Sequence, residues 1–187
     1  MENAIAAGRL EAVEGSTFMD PAYERMFKSK SVEDLIKDII FLHHDFLRET
    51  LPVLSRQFDR VATVYGSRHP ELLEGRVVFD ELARELKEEV ESEEDFLFPC
   101  IRRWDVSSGS EAMESLERMT ERVDFNHRRV QRNLVTLRRL LNDYAVPEDV
   151  CETYKAVLHG LADVESDTRQ HQYIEAQVLF PKILQKE

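Results

Sequence analysis

Four stretches of this 187-residue chain carry apolar residues at alternating steps of three and four, and in each the run is broken by ionisable side chains at a corresponding height. The first reads Ile40, His44, Leu47, Leu51, Leu54, Phe58 and Val61, and the second Leu82, Leu86, Glu89, Glu93 and Phe96. The third runs Leu116, Thr120, Val123, His127, Val130, Leu134, Leu137 and Leu141, and the fourth Val157, Leu161, Val164, Thr168, His171, Glu175 and Val178. Such spacing is the seam of a helical bundle core. A chain that puts histidine and glutamate into all four seams must gather them in one buried layer and find a way to neutralise them.

Turn-forming residues at Gly66 to Pro70, Trp104 to Ser110 and Ala145 to Pro147 separate the stretches. They predict helices near 31–65, 71–103, 110–144 and 148–184. Ser31 and Asp34 resemble a capping box, and Pro147 suits a first helical turn. Charged residues make up 33% of the chain and Gly and Pro number six each, which favours an all-α fold over a β or disordered one. The expected architecture is an up-down-up-down four-helix bundle over residues 31–187, preceded by a loosely packed N-terminal arm at 1–30.

The formal charge of −12, with no basic stripe to offset it, argues against a nucleic-acid partner. Residues 1–30 carry Glu2, Glu11 and Glu14 and no long apolar run, so neither a secretory signal nor a membrane span is expected, and the expected compartment is the cytoplasm. Cys100 and Cys151 lack CxxC spacing and read as packing thiols. A homodimer is compatible with the pattern, although no exposed seam requires one.

The second half of the chain echoes the first. Glu93 to Pro99 (EEDFLFP) and Glu175 to Pro181 (EAQVLFP) share an ending, and the separation from His44 to Glu93, 49 residues, is nearly that from His127 to Glu175, 48 residues. Each helical hairpin therefore sets one histidine opposite one glutamate. His171 and Glu175 lie four apart on one helical face, as do Glu89 and Glu93. Burying these carboxylates alone would cost several kcal/mol each, and the seam holds no Lys or Arg. Metal cations resolve the conflict, and mixed imidazole and carboxylate donors suit iron first, with manganese or zinc behind it. The candidate ligands are His44, Glu89, Glu93, His127, His171 and Glu175.

His43 flanks the seam, so His44 is preferred, with the adjacent histidine as its substitute if the helix rotates. Other residues read as structural: His69 sits in a turn beside Pro70, and His159 lies off the seam. Phe98 and Phe180 cap the core, while Pro99 and Pro181 bend or tighten the helices near their ends. Tyr173 should point away from the seam, and no tyrosine is assigned a redox role.

These residues resemble the hemerythrin HHE family, and within it the iron-sulfur cluster repair di-iron proteins. The likeness spans roughly 30–184 and rests on LHHDFLRETLP at 42–52, RHPEL at 68–72, EEDFLFP at 93–99, DFNHRRV at 124–130, the segment at 146–167 and HQYIEAQVLFP at 171–181. It implies a non-heme, oxo-bridged di-iron centre with His44, His127 and His171 as terminal ligands and Glu93 and Glu175 as bridges. Position 89 departs from the family's HxxxE pattern, with glutamate where histidine is expected. An added anion there favours oxidised metal and a lower potential. Asn126 replaces an acidic residue, Ala176 and Gln177 replace an acidic segment, and residues 1–30 hold no counterpart of the cysteine-bearing domain of many repair proteins.

The function implied is repair of iron-sulfur clusters damaged by oxidative or nitrosative stress, with iron-sulfur proteins as targets and a role closer to metal handling than to enzymatic turnover. The alternatives are a reversible oxygen or nitric oxide binding protein or sensor, a carboxylate-rich di-iron oxidase or peroxidase, and a bundle that keeps the fold with an empty site.

Overall fold

The structure, a computed structural model, describes residues 21–104 and 110–184. Every regular element among them is helical. A short helix α1 (Pro21–Ser29) precedes four long ones, α2 (32–65), α3 (71–104), α4 (Ser110–Leu140) and α5 (152–184). Helix α2 packs on α3 and α5, and α3 packs on α4. Short turns between α2 and α3 and between α4 and α5 make those neighbours antiparallel, and the four seams meet as an up-down-up-down bundle. No described helix is long and apolar enough to cross a membrane.

Local chemistry fixes the helix ends. The Ser31 hydroxyl accepts from the Asp34 N–H at 3.1 Å and starts α2. At Gly66 a Cβ would come within 2.8 Å of Leu73, so glycine allows α3 to fold back at once. Helix α5 begins at Glu152, not at the expected first turn after Pro147. Asp149 has φ of 58°, a left-handed turn that no helix continues through, and Cys151 takes the cap position with extended backbone. Cys151 is exposed and does not pack as expected, whereas Cys100 lies against the core.

Of the arm expected at 1–30, residues 1–20 lie outside the described residues. The rest is not loosely packed: Pro21–Ser29 is helical, and Phe27 is fully buried in one core cluster with Leu35, Ile36 and Ile39. Lys182 donates to the Lys28 and Lys30 carbonyls at 2.9 and 2.8 Å, closing the C-terminus of α1. A single buried aromatic in a segment of weak periodicity gave no signal of this docking.

The core is divided in two. One cluster runs from Leu47 to Val61 on α2, with Leu72 to Val90, Val130 to Leu141 and Tyr154 to Val164 from the other helices. The second gathers Phe27, Leu35, Ile39, Phe98, Leu116, Ile174, Phe180 and Ile183. His44, Glu93, His127 and His171 fall between the two clusters in sequence, Glu89 at the inner edge of the first and Glu175 at the inner edge of the second.

Three of the four long helices widen into a π-helical turn at that level, over Ile39–His44, Glu93–Leu97 and Glu175–Leu179. The prolines of the two LFP endings account for two of these. Pro99 and Pro181 have no N–H and crowd the carbonyl four residues back, so the ladder shifts, and the N–H groups of Phe98 and Phe180 reach the carbonyls of Glu93 and Glu175 five residues back. The prolines thus loosen the helices rather than tighten them. No proline explains the turn in α2.

A buried carboxylate far from this level anchors the α4–α5 turn. Glu165 accepts from Arg138 Nε at 3.0 Å, from Arg169 Nε at 2.9 Å and from the Tyr144 hydroxyl at 3.0 Å. Tyr144 ends a left-handed turn, with φ of 47°, 54° and 59° at Asn142, Asp143 and Tyr144, a conformation that costs about 1 kcal/mol per residue and has to be held from outside. Glu165→Ala should lower unfolding stability by about 3 kcal/mol, because it removes the buried acceptor shared by Arg138, Arg169 and Tyr144 and frees the turn. Tyr144→Phe should cost only about 1 kcal/mol. Urea unfolding of the two variants checks the order; equal losses would show that the phenol, not the carboxylate, holds the turn.

Candidate metal centre

The π turn in α2 brings His44 fully inside. Glu89 and Glu93 enter from α3, His127 from the middle of α4, and His171 and Glu175 from α5, all buried. Each helix brings its apolar stripe to the bundle axis, so a polar residue in the stripe has no route to water. The structure brings all six candidates into one layer.

Within the layer the donor atoms form two groups. His44 Nε2 is 3.1 Å from Glu93 Oε2 and 3.3 Å from His171 Nε2, and His171 Nε2 is 3.4 Å from the same Glu93 oxygen. On the other side His127 Nε2 lies 3.6 Å from Glu89 Oε1 and 4.0 Å from Glu93 Oε1. In each trio, His44, Glu93 and His171 or Glu89, Glu93 and His127, the ligand atoms lie within 4.8 Å of one another. Glu93 belongs to both and offers one oxygen to each. Glu175 also spans them, with Oε2 3.1 Å from His127 Nε2 and 3.5 Å from His171 Nε2.

A surrounding set of polar side chains holds these groups. His44 Nδ1 meets Glu94 Oε1 at 2.7 Å, and Arg48 pairs with the same oxygen at 2.7 Å. Gln172 donates to Glu89 Oε1 at 3.3 Å, and Gln131 donates to Gln172 at 2.7 Å. His43 is buried beside the layer, its Nδ1 2.7 Å from Asp167 and its ring stacked on His171 at 5.6 Å, and it joins neither trio.

The electrostatics follow from burial and crowding. Burial disfavours the carboxylate of Glu89 and, with Glu93 nearby, pushes its pKa up to about 7 despite the pull of His127. Burial also opposes ionisation of Glu175, yet the imidazoles of His171 and His127 outweigh it and hold that carboxyl well below its ordinary range. Burial lowers the pKa of His171 and His127, but Glu175 and Glu93 around the first and Glu89 and Glu175 around the second raise both above the usual imidazole value. Glu94 would be raised by burial, but His44 and Arg48 hold it low, so it stands as an anion behind the His44 ring.

Do these residues fit a metal pair? Glu89 Oε2, Glu93 Oε1, His127 Nε2 and both Glu175 oxygens are buried without a hydrogen-bond partner, and all belong to the two trios or the residue spanning them. Polar atoms so placed cost free energy unless a cation takes them up, and His44, whose Nδ1 meets Glu94, keeps Nε2 for that purpose. The donor set fits two cations. Sequence spacing missed Glu94 and the burial of His43, because an ideal 3.6-residue period does not register the π turns that carry them; it missed Gln172 and Gln131, on regular stretches, because each flanks its seam and reaches inward by the length of its side chain. His69 is half-buried on Glu71 and His159 is exposed, and neither belongs to the layer. Tyr173 packs partly against the second core cluster.

Residues 35–183 match the model of the hemerythrin HHE cation binding domain. The iron-sulfur cluster repair protein ScdA of Staphylococcus epidermidis is 27% identical over 174 residues, which cover 93% of this chain and 74% of that protein. The iron-sulfur cluster repair protein YtfE of Escherichia coli is 30% identical over 162 residues, covering 86% of this chain and 70% of its own length. With the family match spanning most of the bundle and the histidine-glutamate layer at its centre, this chain belongs to the hemerythrin HHE family.

Proposed function

We propose that this chain holds two iron ions in the layer formed by His44, Glu89, Glu93, His127, His171 and Glu175, and that it serves in the cytoplasm to repair iron-sulfur clusters damaged by oxidative or nitrosative stress. The observation that carries the proposal is the pair of buried trios sharing Glu93, in a chain similar to two proteins named for cluster repair. Bound iron supplies a redox-active, transferable metal and a position for small ligands such as oxygen or nitric oxide. The targets would be iron-sulfur proteins.

The side chains divide the work. His44, His171, His127 and Glu89 would hold the ions, and Glu93 and Glu175, which lie between the two groups of donors, would supply the remaining carboxylate oxygens. Glu94 accepts the outer N–H of His44 and fixes the ring so that Nε2 faces inward. The apolar clusters on either side keep bulk water from the layer. Once a cation has displaced their protons, three carboxylates and three imidazoles would leave the protein part of the centre anionic, which favours retention of multivalent cations.

Anaerobic reconstitution should load about two iron ions per chain, and Glu93→Ala, which removes a donor from both positions, should reduce this to well below one. Elemental analysis after desalting reads the result; unchanged stoichiometry in the variant would remove Glu93 from the centre. Transfer of iron to an apo iron-sulfur protein should occur from the loaded parent and not from Glu93→Ala. Loaded protein that keeps its iron in the presence of that acceptor would exclude repair by donation.

Metal uptake should also depend on pH. In the metal-free chain the raised pKa values of His171, His127 and Glu89 mean that these groups carry protons near neutrality, so a cation has to displace them. Affinity should therefore rise with pH through the region of about 7 and fall on the acid side. Calorimetric titrations in buffers of different ionisation enthalpy should reveal proton release on binding, and no release would contradict this assignment of charge.

A further inference from the structure

The two positions of the proposed centre are chemically unlike, and the residues behind them are unlike as well. One trio offers two imidazoles and a carboxylate oxygen, from His44, His171 and Glu93. The other offers two carboxylates and one imidazole, from Glu89, Glu93 and His127. Behind His44 stands an anionic acceptor, Glu94, itself held by Arg48. Behind Glu89 stands a donor: Gln131 gives its amide N–H to the Gln172 carbonyl, and this leaves the Gln172 amide to give an N–H to Glu89 Oε1.

The direction of that relay matters. A metal-bound imidazole turns its second nitrogen, an N–H donor, toward an acceptor. At position 89 the side chain meets another donor, because the Gln172 carbonyl faces Gln131 and its amide nitrogen faces Glu89. The relay suits a carboxylate and opposes a histidine. It holds Oε1, the oxygen 3.6 Å from His127 Nε2, and leaves Oε2 buried and without a partner. Glutamate at this position is thus supported by two further residues and does not stand as an isolated exchange.

We propose that the Gln131–Gln172 relay fixes Glu89 as an anionic ligand and makes the Glu89–His127 position a harder cation site, one that takes manganese(II) alongside iron(II), while the His44–His171 position selects iron. The inference rests on the two-metal reading above. Its chemical basis is that imidazole nitrogen widens the preference for iron over manganese along the divalent series, whereas carboxylate oxygen is well suited to manganese. In this arrangement Gln172 and Gln131 are positioning residues.

The test is anaerobic competition: the metal-free 187-residue chain is equilibrated with equal, saturating iron(II) and manganese(II), desalted, and analysed for both metals, with the manganese electron paramagnetic resonance spectrum recorded on the same sample. The parent should retain about one of each, and Glu89→His should shift the bound metal toward iron at both positions. Gln172→Leu should weaken the second position about 10- to 100-fold and leave the first unchanged. Because Gln172 is buried, Gln131→Ala at a half-buried site provides a second variant, expected to weaken the same position to a smaller degree. Two metals bound with one common preference that Glu89→His does not alter would overturn this inference and leave the metal centre standing. Parent protein that binds neither cation would overturn the centre itself and the inference with it.

Discussion

Three carboxylates and three imidazoles closed between two apolar clusters form the contact on which this bundle depends. In the absence of a cation the charges settle among themselves: Glu175 stays ionised against protonated imidazoles, and Glu89 is driven toward neutrality by burial. That arrangement is a compromise, because several of the oxygens and two of the nitrogens find no hydrogen bond in it. A core of leucine and valine at the same height would pack with no such penalty. The layer therefore lowers the fold's own stability, and the two large apolar clusters on either side offset it.

Backbone and site are shaped together. The π turns occur where His44, Glu93 and Glu175 enter the layer, and His127, on a helix without such a turn, enters from a regular stretch. A π turn inserts one residue without breaking the helix, so the seam can change which side chain faces the axis and still rejoin the apolar stripe beyond. In α3 this permits Glu93 to face the centre while Glu94 reaches His44 from outside. In α2 it buries two consecutive histidines, one in a trio and one against Asp167.

The bundle was legible in the sequence because its seams are long and their period is unambiguous, and the breaks at Gly66 and Ser110 stand where the helices end and begin. The six polar seam residues were legible for the same reason: an ionisable side chain in an apolar stripe is conspicuous. What the period could not reveal depends on departures from it. Glu94 and His43 are neighbours of seam residues carried on π turns, and regular geometry would turn them away, whereas Gln172 sits on a regular stretch and reaches Glu89 by its length. Helix α1 was hidden because its docking depends on Phe27, a single side chain with no repeat to announce it. The late start of α5 was hidden because Pro147 is equally at home in a turn, and the left-handed residue at Asp149 decided between them.

The chain also contains its own control for the meaning of a buried carboxylate. Glu165 is buried and meets Arg138, Arg169 and Tyr144. Glu85, one turn before Glu89 on the same helix, is buried too and meets Arg129 at 2.7 Å and Asn133 at 2.8 Å. Where a carboxylate serves to tie helices together, this protein supplies a guanidinium, whose fixed charge and several donors satisfy the oxygens permanently. Glu93 and Glu175 face imidazoles instead, groups that can give up their protons and turn a lone pair toward a cation. Glu89 falls on that side of the division, with His127 and an amide as its neighbours. A glutamate recruited only to hold the bundle would be expected to resemble Glu85 four residues earlier; its surroundings are those of Glu93 four residues later.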